Sequence, residues 1–120
     1  MKKSIYVVED NACIREMIEF LLTEELYDVK TCPNTSEFWK QMAFHTPDMV
    51  VLDVMLPDGN GVEICAKLKQ NIKTYNIPVM MMSAGNQLNQ VKAKCAAQDF
   101  INKPFDINDF INRVDHYVHD

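Results

Sequence analysis

Residues 49–61 read Met-Val-Val-Leu-Asp-Val-Met-Leu-Pro-Asp-Gly-Asn-Gly, an apolar run that ends on a carboxylate and passes into a turn. Four consecutive apolar residues before Asp53 fit a strand buried on both faces, not one that alternates between core and water. Pro57, Gly59 and Gly61 then break the chain before a helical pattern starts at Val62. A strand covered on both faces needs helices above and below it. The stretch therefore predicts a layered α/β domain with a strand over Met49–Val54 in the middle of a parallel sheet.

Outward from this segment, short apolar runs recur at Ile5–Val8, Val29–Cys32, Pro78–Met82 and Phe100–Ile101, separated by segments of helical period. Ile14, Met17, Ile18, Leu21 and Leu22 form one stripe at steps of three and four, behind an Asn11 cap. A second helix is expected over about Ser36 to Phe44, capped by Asn34, Thr35 or Ser36, with Phe38 and Met42 facing inward. A third carries Val62, Cys65, Leu68 and Ile72. The fourth, around Gln87 to Ala97, has only Leu88, Val91 and Cys95 as a stripe. A last one, after an Asp106 cap, carries Ile107, Phe110, Ile111, Val114 and Val118. Five strands alternating with five helices predict a doubly wound, flavodoxin-like (βα)5 domain whose crevice lies beyond the carboxyl ends of the strands.

Composition narrows the possible functions. At 120 residues, 48% hydrophobic and 24% charged, the chain has the size and make-up of one globular domain over residues 1–120. A net charge of -5 argues against the basic face that direct nucleic-acid binding requires. The N-terminus lacks the apolar core of a signal peptide and no run approaches a membrane span, which points to a cytoplasmic protein. Cys13, Cys32, Cys65 and Cys95 show no CxxC spacing and read mainly as reduced core thiols, while His45, His116 and His119 read as solvated surface groups.

Four strand ends carry chemically unusual residues: Glu9 and Asp10 after the first, Asp53 after the third, Ser83 after the fourth, and Lys103-Pro104 after the fifth. Each acid alone reads as a strand returning to solvent. Three carboxylates at one edge, however, repel one another unless a cation sits among them. All-oxygen donors with no His or Cys nearby suit Mg²⁺, with Mn²⁺ as a substitute. Asp53 emerges from the most buried strand with limited freedom, which suits a nucleophile forming an acyl phosphate, and Lys103 and Ser83 could oppose the charge on the phosphoryl oxygens. A cis Lys103-Pro104 bond would turn Lys103 back toward these acids.

Together these residues closely resemble the receiver domains of bacterial two-component response regulators, over essentially the whole chain. The resemblance rests on the acidic pair, Asp53 with Pro57 and Gly61 following it, the Ser83-Ala84 step and Lys103-Pro104-Phe105, all in the family's order. It implies a CheY-like sheet of strand order 2-1-3-4-5 and Mg²⁺ held by Glu9, Asp10, Asp53 and the backbone carbonyl of Met55. It further implies that Asp53 takes a phosphoryl group from a sensor histidine kinase or phosphotransfer protein. Ser83 and Phe100 would form a switch altering the face made by the fourth helix, fifth strand and fifth helix, where an output protein or a second receiver docks.

The sequence departs from the family in three places. Ser83 to Lys103 is about two residues shorter than in many receivers, so the fourth helix is expected to be short or its loop tightened. Ala96 replaces a usual glycine before the last strand. Met55 and Gly85 stand where polar side chains would orient a hydrolytic water, which predicts a long-lived acyl phosphate. A dehalogenase-type phosphatase would need a second acid where Met55 stands, and a nucleotide-binding domain would need a GxGxxG or GxxxxGK loop. A receiver-like interaction module without phosphorylation would usually have lost Asp53 or Lys103. The expected domain is therefore a signalling phosphoacceptor, not an enzyme, with no output domain after the last helix.

Overall fold

The computed structural model describes residues 2–84, 88–92 and 94–119, the side chains of 88 and 89 excepted. Five strands, β1 (Ser4–Val8), β2 (Asp28–Cys32), β3 (Met49–Asp53), β4 (Val79–Ala84) and β5 (Asp99–Lys103), form one sheet in the order β2-β1-β3-β4-β5. Every neighbouring pair is parallel. They alternate with α1 (Ala12–Glu24), α2 (Thr35–Phe44), α3 (Gly61–Gln70), α4 (Leu88–Lys92) and α5 (Ile107–His119). The chain moves from β1 to β2 on one side and then crosses to β3 on the other, so the switch point lies between β1 and β3.

The period of two along each strand divides the core into two layers. Tyr6, Val8, Val50, Leu52 and Met81 pack on one face against Phe38 of α2, Ile64 and Leu68 of α3 and Val91 of α4. Ile5, Val7, Val51, Met80 and Met82 pack on the other against Ile18 and Leu22 of α1 and Phe110 and Val114 of α5. Both faces of β3 are thus covered, and all five of its residues are buried.

Side-chain oxygens of Asn11, Asn34, Asn60 and Asp106 accept from the backbone N–H three residues on, at 2.8–3.0 Å, and so fix where α1, α2, α3 and α5 begin. For α2 this selects Asn34 among the three expected caps. The strand ends shift by a residue or two from expectation: β3 stops at Asp53, β4 runs on to Ala84, and β5 extends over Asp99–Lys103. Among the described residues the fourth helix covers Leu88–Lys92, and the expected run to Ala97 is not met, since residues 94–97 are not helical.

Four expected core positions are corrected. Met17 and Ile107 are 38% and 46% exposed because they line an open groove with Ile14, Lys103, Pro104 and Phe105 instead of facing the sheet. Ile72 is 85% exposed because α3 ends at Gln70 and the chain turns about Asn71, whose carbonyl accepts from the Thr74 and Tyr75 N–H groups. Cys13 lies exposed in the first turn of α1, whereas Cys32 and Cys65 are buried and Cys95 is half-buried; all four are free thiols. No helix among the described residues is long and apolar enough to cross a membrane.

Candidate functional site

Strand register decides which side chains meet. β1 and β3 run in step from Ile5↔Met49 to Val8↔Leu52, so Glu9 and Asp53 leave the sheet side by side at the switch point. β4 continues the edge, with Met82 opposite Asp53 and Ala84 opposite Lys103. The Lys103-Pro104 bond is cis. The Lys103 ammonium donates to Asp53 Oδ2 at 2.9 Å and to Glu9 Oε1, which makes it a bridge between two buried carboxylates.

The remaining oxygens of this pair also have donors: Asn11 N–H to Glu9 Oε2 at 3.1 Å and Met55 N–H to Asp53 Oδ1 at 3.3 Å. Asp10 is exposed, yet Glu9, Asp10 and Asp53 each offer a carboxylate oxygen within 4.8 Å of the others. Burial, reinforced by the neighbouring Asp53, pushes the Glu9 carboxyl above its usual range despite the pull of Lys103 and the Asn11 N–H. Burial alone would lower the Lys103 ammonium, but Glu9 and Asp53 together outweigh it and raise it. One ammonium facing three carboxylates leaves an excess of negative charge on an all-oxygen donor set, which fits a hard divalent cation and not a thiophilic or imidazole-seeking one.

Ser83 is fully buried one step beyond Met82, at the same edge. Met55 opens a two-residue ribbon, Met55–Leu56, paired antiparallel with Gly59–Asn60, and its side chain points to solvent at 63% exposure. Phe100 sits farther back on β5, opposite Met81 and half-buried against the α2–α3 layer. The Lys92 ammonium lies 5.8 Å from its ring, and Arg113 donates to its carbonyl at 2.9 Å. Gly85 lies outside the described residues.

Three further residues shape the site, and of these only Gly61 was marked out by the sequence. A Cβ on Gly61 would lie 2.3 Å from the carbonyl oxygen of Asp53, so only glycine lets α3 begin this close to the Asp53 backbone. Asp58, in the loop after Asp53, accepts from Thr35 N–H at 2.8 Å and Ser36 N–H at 3.1 Å, and these bonds hold its carboxyl below the usual range. Arg15 Nη1 donates to the carbonyls of Glu9 and Asp10 at 3.0 and 3.2 Å. A glycine eight residues past Asp53 was visible in the sequence, but the direction in which Asp58 and Arg15 point is set only by tertiary structure.

Comparison with known proteins fits this geometry. The response regulator receiver domain model matches residues 5–115. The phosphate regulon transcriptional regulatory protein PhoB of Pseudomonas aeruginosa is 34% identical over 114 residues, covering 93% of this chain and 50% of that protein. The chain spans about half the length of the PhoB relatives it matches. The receiver domain of a histidine kinase from Syntrophus aciditrophicus superposes with a TM-score of 0.91 at 25% identity, covering 98% of this chain and 90% of that one. A receiver domain of the sensor histidine kinase PA1611 from Pseudomonas aeruginosa, with magnesium coordinated in its active site cleft, superposes with a TM-score of 0.87 at 20% identity over the whole of both chains. With the family model matching from β1 into α5, this chain belongs to the response regulator receiver domains, the signalling domains of two-component systems.

Proposed function

We propose that Asp53 is the phosphoacceptor of this receiver domain and that Glu9, Asp10, Asp53 and the Met55 carbonyl hold Mg²⁺, or Mn²⁺ in its place. The observation that carries this reading is the Lys103 bridge to Glu9 and Asp53 beside a third carboxylate. A carboxylate oxygen of Asp53 attacks the phosphorus of a phosphohistidine on a sensor kinase or phosphotransfer protein. The P–N bond breaks, and its electron pair stays on the imidazole, which then takes up a proton. Bound Mg²⁺ would supply charge neutralisation for the phosphoryl oxygens.

Within the chain, Lys103 is placed to exchange its contact with Asp53 for one with the incoming phosphoryl group, and the Ser83 hydroxyl offers a second contact. Phe100 follows Ser83 in the switch, so the signal reaches the face formed by α4, β5 and α5, where an output protein or a second receiver docks. The Met55 side chain offers no polar group to orient a hydrolytic water, which supports a persistent acyl phosphate. Residues 1–120 act as a single signalling domain without independent enzymatic turnover. The coordinated ion named for the PA1611 receiver domain supports the same use of this cleft.

Incubation with acetyl phosphate and Mg²⁺ tests the assignment. The expected result is the addition of one phosphoryl mass, abolished by Asp53→Asn or by chelation. Retention of the added mass in Asp53→Asn would overturn it.

A further inference from the structure

The turn between β1 and α1 presents two of the three clustered carboxylates, yet the sheet holds only its first residue. The Glu9 N–H donates to Cys32 O at 3.0 Å, and beyond that point the β1 ladder ends. The next three carbonyls all fall to one residue. Arg15 Nη1 donates to Glu9 O at 3.0 Å and Asp10 O at 3.2 Å, and the Arg15 backbone N–H donates to Asn11 O at 2.9 Å. Glu9 has additional support from Lys103 and the Asn11 N–H. Asp10 has none of this: its side chain is exposed, and among the described residues no hydrogen bond holds its carboxylate. The main chain sets where its Cβ lies, and with it the region the carboxylate can reach.

We propose that Arg15 is a positioning residue for the divalent cation: its guanidinium pins the carbonyls of Glu9 and Asp10 and thereby fixes where the acidic pair presents its carboxylates. The inference rests on the reading of Glu9, Asp10 and Asp53 as the cation's ligands. A planar guanidinium on a half-buried stem can hold two carbonyls in a fixed relation, whereas the lysine ammonium is a mobile point charge. Charge and geometry have opposite consequences here. As a bare positive charge, Arg15 would repel an incoming cation, and neutralising it would tighten binding. As a clamp, its loss loosens binding even when the charge is kept.

The test is calorimetric titration of the chain with MgCl₂, comparing wild type, Arg15→Lys and Arg15→Gln, alongside urea unfolding and the Mg²⁺ dependence of phosphorylation by acetyl phosphate. Arg15→Lys should weaken Mg²⁺ binding about fivefold, below the usual loss on removing a side chain that orients metal ligands directly, because it acts through the main chain. Its phosphorylation should recover as Mg²⁺ is raised. Wild-type affinity in Arg15→Lys, or tighter binding in Arg15→Gln, would overturn the clamp while leaving the proposed function intact. Loss of phosphorylation at saturating Mg²⁺ together with a lowered urea midpoint would assign Arg15 a structural role and also overturn it. A wild-type chain that takes up no Mg²⁺ would remove the underlying reading of the site itself.

Discussion

Replacing Gly61 with alanine should disturb the acceptor aspartate from behind. The added Cβ would lie 2.3 Å from the Asp53 carbonyl oxygen, 3.1 Å from its carbonyl carbon and 3.0 Å from Met81 Cε. The first distance falls about 1 Å short of van der Waals contact, and two of the three neighbours are backbone, so a rotamer change cannot relieve the overlap. Either α3 moves away from β3 or Asp53 shifts at its Cα. Overpacking of this kind costs about 1–3 kcal/mol. Reduced freedom of the unfolded chain on Gly→Ala returns about 0.4–1 kcal/mol. The net loss of about 1–2 kcal/mol corresponds to a urea midpoint lower by about 1 M. Trp39, the single tryptophan, reports the unfolding by fluorescence. The chemical effect should be larger, since a displacement of about 1 Å at a reacting group can cost about 10²-fold in rate. Gly59→Ala is the matched control: its Cβ meets only the Thr35 side chain, at 3.3 Å from Cγ2, which can yield. The reasoning is refuted if Gly61→Ala retains both the wild-type midpoint and the wild-type rate of phosphorylation by acetyl phosphate.

Lys103→Met leaves the buried carboxylates of Glu9 and Asp53 without their shared ammonium, so the divalent-free protein should lose about 3 kcal/mol of stability at neutral pH. Excess Mg²⁺ should restore part of that loss; an unchanged urea midpoint without divalent cations would show that the bridge does not support the fold. Thiol labelling tests the burial of the cysteines. Burial pushes Cys32 up to about 11 and Cys65 up to about 12, and a raised thiol pKa means less thiolate, about 10⁻³ of Cys32 at pH 8. Cys13 should therefore react first with a disulfide reagent at pH 8, and Cys65 only after unfolding, as read by peptide mass spectrometry; labelling of Cys65 as fast as Cys13 would contradict the packing of α3.

The elements legible in the sequence were those whose signal is local. The unbroken apolar run of residues 49–52 announced a buried central strand, and the acids ending two runs, with the lysine ending a third, announced a common edge once the strands were taken as parallel. Asn11 and Asp106 could be read as caps because a cap acts within three residues. The failures share a cause. Met17, Ile72 and Ile107 continue an apolar period correctly, but whether such a position is covered depends on where the helix stops and what packs across it. Ile72 follows the end of α3, and the other two face a groove. Asp58 is an ordinary turn aspartate in sequence, and its partners are 23 and 22 residues away. Arg15 lies six and five residues beyond the two carbonyls it holds, a spacing equally consistent with a solvated side chain.

The bond pair from Asp58 to the first turn of α2 also gives the protein a remote gauge. The amides of Thr35 and Ser36 belong to a different βα unit from Asp53, yet their hydrogen-bond acceptor is a side chain of the loop that follows it. Their solvent exchange is therefore slowed only while that loop stays closed. Two backbone protons near the start of α2 would record each opening of the segment beside the acceptor, with no label or substitution placed in the cleft.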